Sequence, residues 1–136
     1  MTDPELETRI AKLEAQNRQL HLSVSAILLA ACLLLGLWNL GQAQHIGRFT
    51  EIFDQMLSGK QLPVLTTFVI EARPVLFIAA IFLPLAAVGI FFSQGRRGAG
   101  IGPLALLVLL IGAQALITRH ALWRPIYSII SELSHG

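Results

Sequence analysis

The chain of 136 residues is 54% hydrophobic and only 13% charged, with a mean hydropathy of +0.67 and a net charge of +2 from ten Lys and Arg against eight Asp and Glu. A soluble domain carries roughly 25% charged residues, so disorder, a nucleic-acid surface and an ordinary soluble enzyme are all poor fits, and an integral membrane protein is the class that remains. The single cysteine, Cys32, has no partner for an intrachain disulfide.

Residues 1–21 carry a seven-residue apolar repeat. With Leu6 at d, Ile10 falls at a, Leu13 at d, Asn17 at a and Leu20 at d, and the pattern runs on through Val24, Ile27, Ala31 and Leu34. Ile at a with Leu at d favours parallel two-stranded coiled coils, and one Asn at an a position fixes register against its copy on a partner helix. Thr2 or Asp3 is placed to cap this helix, with Pro4 in its first turn and Glu5 and Glu7 near the positive end of its dipole. The functional expectation is self-association through Leu6, Ile10, Leu13, Asn17 and Leu20. The competing expectation is a solvated amphipathic helix lying against the protein or the lipid headgroups, since two and a half heptads are few for a coiled coil.

Residues 22–40 form the first stretch able to cross a bilayer, 19 residues without a charge. A cleavable leader is the weaker reading, suggested by Gly41, Gln42 and Ala43; a 21-residue acidic leader and a 19-residue core have the wrong shape for one. Ser25, Cys32 and Asn39 recur at b positions, forming a polar stripe beside the a/d seam. Such a stripe either packs on neighbouring spans or lines a water-filled pore.

Residues 41–73 form a loop containing an amphipathic segment, 45–58. Ile46, Phe49, Phe53, Met56 and Leu57 share one face, Arg48, Glu51, Asp54 and Gln55 the other, and Gly59 is placed to stop the helix. An interfacial position would bury the aromatic face at the acyl boundary. Glu51 and Asp54 read as a solvated face rather than an acid–base pair, and His45 lacks the spacing of a metal ligand. Further on, Leu65, Phe68, Val69 and Ala72 continue an amphipathic pattern, and Glu71 and Arg73, two residues apart, point in different directions. The phrase FDQMLSGKQLPVLTTFVI resembles the segment that leads into a membrane helix in the inner-membrane platform proteins of type II secretion and type IV pili. That resemblance covers 18 of 136 residues. It implies a cytoplasmic loop, and the large helical cytoplasmic repeats of that family have no counterpart in this sequence.

The second span, 74–92, contains Pro74 and Pro84, each of which removes a helical hydrogen bond. The turn 93–100 (SQGRRGAG) joins it to the third span, 101–118, as an antiparallel hairpin; with no preceding strand, its glycines read as turn chemistry rather than a phosphate loop. Small residues on both spans, among them Ala80, Ala87, Gly112 and Ala113, allow close helix approach. Gln114 is the strongly polar side chain within the third span, suited to an interhelical hydrogen bond. The tail, 119–136, places Leu122, Ile126, Ile129, Ile130 and Leu133 on one face, with Trp123 and Tyr127 as interfacial aromatics.

Lys and Arg near the span ends tie at five on each side. Arg96 and Arg97 in the short turn, and Arg18 just ahead of span one, favour a cytoplasmic amino terminus. The expectation is an all-α integral membrane protein of a bacterial-type inner membrane. It has three transmembrane helices, an N-terminal heptad-patterned helix and two interfacial amphipathic helices. It acts as a self-associating structural or accessory component, alone or with other membrane subunits. An oligomeric channel lined by the first span is the alternative. No cofactor, metal, nucleic acid or catalysis is expected, and the segments outside the spans look too small to enclose a pocket of about 300 Å³.

Overall fold

The computed structural model describes residues 3–56, 63–93 and 101–135. They form four helices: α1 Pro4–Met56, α2 Val64–Glu71, α3 Arg73–Ser93 and α4 Ile101–Ser134. The chain is all-α, and α1, α3 and α4 are each long and apolar enough to cross a membrane.

The amphipathic segments are helical, but they are not separate elements. α1 passes without interruption from the heptads through the first span and on to Met56, and α4 continues from the third span to Ser134. At 1.5 Å per residue these helices are about 80 Å and 51 Å long, well beyond the roughly 30 Å of a hydrocarbon core. Gly41 does not break α1, because its cost of about 1 kcal/mol is set against strong helix formers on either side and against packing of Asn39, Ala43 and Ile46 on the rest of the chain. The Gly59 stop, Leu57, the Thr2 cap and the turn residues 94–100 lie outside the described residues. At the amino end, the Asp3 carbonyl accepts from the N–H groups of Leu6 at 2.9 Å and Glu7 at 3.2 Å.

The contacts fix the directions of the helices. Asn39 Nδ2 donates to the Ile111 carbonyl at 3.0 Å, and Cys32 Sγ lies 4.0 Å from the Leu104 carbonyl. Both residues of the pair advance by seven together, so α1 and α4 run parallel. On α3, Pro84 meets Gly36 of α1 and Arg73 meets Gly47; the numbers run in opposite senses, so α3 is antiparallel to both. Gln114 Nε2 donates to the Leu76 carbonyl at 3.1 Å, joining α4 to α3.

Two apolar clusters stack along this bundle. One holds Cys32, Ala87, Leu104 and Ile111; the other holds Ile46, Val69, Ala121 and Leu122. The second cluster corrects the expectation for residues 45–58. Ile46 and Phe53 are buried inside the protein rather than turned to lipid, because α1 and α4 leave the bundle side by side and their apolar faces cover one another. Between α2 and α3 the chain turns at Ala72, where Pro74 lacks an N–H and its ring crowds the Ile70 carbonyl. α2 buries Thr66 and Val69, while Phe68 stays exposed. The Thr66 hydroxyl donates to the Ala121 carbonyl at 2.9 Å, docking α2 on α4.

Candidate functional site

Two regions of α1 carry functional potential, and they face different ways. The b positions Ser25, Cys32 and Asn39 are all buried within the chain, together with Gly36 and Ala43, which complete a narrow interior strip. The expected polar stripe is therefore packed on α3 and α4. Gly36 belongs in that strip for a steric reason: a methyl group there would overlap the Pro84 ring. Gln114 lies at the same packed interior, bonded as described above.

The a/d seam faces away from the bundle. Every residue from Asp3 to Val24 is exposed, so this stretch of α1, about 30 Å long, stands clear of its own chain. Leu6, Ile10, Leu13 and Leu20 lie in one row, with Leu13 at 65% and Leu20 at 59% exposure, and Asn17 sits among them. Beyond them Val24, Ile27 and Leu34 extend the row along the outer face of the span. An Arg9–Glu5 ion pair of 3.3 Å, one turn apart and exposed at both ends, supports the helix by a few tenths of a kcal/mol at most.

Beside these two regions lies a cleft of about 450 Å³ between α1 and α4. The cleft lies along the seam of two long helices and takes Trp38 from the first span, rather than being enclosed by the segments outside the spans. Trp38, Gln42, His45 and Phe49, spaced four, three and four along α1, form one wall; Arg119, Leu122 and Trp123 of α4 form the other. A smaller hollow of about 350 Å³ adjoins it on the far side of Arg119 and Trp123, and the Trp123 and Tyr127 rings there lie 6.0 Å apart. Among the lining residues of the main cleft there is no carboxylate. The Gln42 Oε1 atom is buried with no hydrogen-bond partner. His45 and Arg119 were visible in the sequence only as members of separate segments. Their meeting depends on the parallel register of α1 and α4, which no local spacing encodes.

The acidic pair Glu51 and Asp54 is exposed. Among the described residues, no three His, Cys, Asp or Glu side chains come together in a way that would hold a metal ion. Comparison with protein-family models, with curated proteins and with solved structures finds no match.

Proposed function

We propose that this chain is a multi-pass protein of a bacterial-type inner membrane that self-associates through the amino-terminal part of α1 and serves as a structural or accessory component of a membrane assembly. The observation that carries the reading is the division of labour on α1. Its b-side strip is consumed by α3 and α4, whereas the seam of Leu6, Ile10, Leu13, Asn17 and Leu20 is left bare. Burying a Leu or Ile side chain stabilises by about 1.5–3 kcal/mol, so four such residues in one row favour a cover of matching shape.

A second copy supplies that cover. Because α1 continues into the bundle without a break, two copies inserted with the same topology present these helices parallel, the arrangement that Ile at a and Leu at d favour. In that arrangement Arg9 is a g position and Glu14 of the second copy is the facing e position, which adds an opposite-charge pair on each side of the seam. The orientation that places the seam in the cytoplasm rests on Arg18, Arg96 and Arg97. A pore lined by span one is the alternative; the packing of Ser25, Cys32 and Asn39 inside each protomer favours the scaffold over it.

The particle mass in mild detergent tests the proposal. Wild type is expected as a dimer or higher oligomer and Leu13→Asp as a smaller particle. Arg9→Glu is expected to weaken association, and Arg9→Glu with Glu14→Arg to restore it, since the exchange returns the facing charges to opposite sign. An unchanged mass for Leu13→Asp would refute self-association through this helix.

A further inference from the structure

We infer that the cleft between α1 and α4 is a binding site for the headgroup of an anionic glycerophospholipid. The inference rests on the chain residing in a membrane but not on its oligomeric state.

The depth of the cleft comes from the spans that frame it. Arg119 directly follows the apolar run of α4, and Trp38 lies near the end of the apolar run of α1; Trp123 is one turn beyond Arg119. Aromatic rings flanked by a cation mark the boundary between acyl chains and headgroups. A lipid in the surrounding leaflet thus has direct access, with its chains along Trp38 and its phosphate at the level of Arg119.

The chemistry of the walls selects the headgroup. Arg119 makes no ion pair among the described residues, and no carboxylate lines the cleft to compete with a phosphate. Guanidinium binds phosphate through two parallel hydrogen bonds, a geometry for which Arg is better suited than Lys. His45 adds a ring nitrogen on the facing wall. An anionic headgroup such as that of phosphatidylglycerol leaves its phosphate charge for the Arg119 guanidinium, whereas in a choline headgroup the phosphate is already offset by its own ammonium group.

The two tryptophans of the chain both line the cleft, so it carries its own reporter. The experiment is quenching of tryptophan emission in phosphatidylcholine vesicles containing a small, equal fraction of either brominated phosphatidylglycerol or brominated phosphatidylcholine. About a tenfold preference for the anionic lipid is expected, the factor carried by one charge-assisted hydrogen bond at the low end of its range. Arg119→Gln is expected to remove the preference, and Arg48→Gln, an exposed cation of α1 outside the cleft, to keep it. Equal quenching by the two lipids in wild type, or a preference that survives Arg119→Gln, overturns the proposal. So does an emission shift with inorganic phosphate alone and no lipid preference, which would make the cleft a site for free anions. Absence of quenching by either lipid would instead refute membrane residence, and quenching of Arg119→Gln by brominated phosphatidylcholine shows that the variant is inserted.

Discussion

The Thr66 hydroxyl occupies the place of an N–H that α4 lacks. In a regular helix the Ala121 carbonyl accepts from the residue four positions on, which here is Pro125, and proline has no N–H to give. Thr66 donates to that carbonyl from α2 at 2.9 Å, within a site where Thr66, Ala121 and Pro125 are all buried. The proline in α4 and the docking of α2 are thus parts of one arrangement.

Replacing Thr66 by Val keeps the shape and deletes the donor. The exposed alternative of solvation is absent there, so a loss of about 1–3 kcal/mol is expected. Thr66→Ser is expected to recover most of it. Thermal unfolding of the detergent-solubilised protein measures both; equal midpoints for wild type and Thr66→Val would show that the bond contributes nothing.

Gly36 and Pro84 set a second expected outcome. Gly36→Ala places a methyl group against the Pro84 ring, and forcing α1 from α3 costs about 1–3 kcal/mol, as overpacked cores do. The same change at Gly41, where an added Cβ meets nothing, is expected to be neutral or slightly stabilising because Ala is the better helix former. The two variants compared in one melting assay isolate the contact from the backbone effect.

Cys32 tests whether the b-side strip is dry. It is fully buried beside Leu104, Ile111 and Ala87, so a small water-borne thiol reagent is expected to leave it unmodified in vesicles and to react once the protein is denatured in detergent. Rapid modification of the folded protein, together with ion flux through the vesicles, would promote the pore over the scaffold.

Topology follows from single cysteines in a Cys32→Ser background at three exposed helix ends, Met56, Ser93 and Ser134. With a cytoplasmic amino terminus, an impermeant thiol reagent applied to intact spheroplasts is expected to label positions 56 and 134 and to spare 93. The reverse pattern would invert the orientation while leaving the bundle intact.

Much of the fold was legible in the residues. Three apolar runs gave three helices, and the seven-residue spacing of Ser25, Cys32 and Asn39 marked the side of α1 that the chain keeps for itself. Two kinds of information were out of reach. The uninterrupted passage of α1 through Gly41 depends on packing against α4, which outweighs the local preference of glycine to end a helix. The cleft depends on which turn of α1 faces which turn of α4. Trp38 and Trp123 are 85 positions apart (123 less 38), and periodicity within either helix says nothing about that match. Phe53 shows the same limit: its amphipathic surroundings fit a lipid face as well as they fit a protein one, and only the partner helix decides.

The unbroken course of α1 also has a mechanical meaning. From the heptad segment past Asn39 to Phe53 the helix has no proline and no break, so a tilt or twist of the heptad segment is passed along one continuous helix with no kink to take it up. In a chain that spans a bilayer and pairs through its heptads, a change in that pairing would reach the opposite leaflet as a rotation of one wall of the cleft.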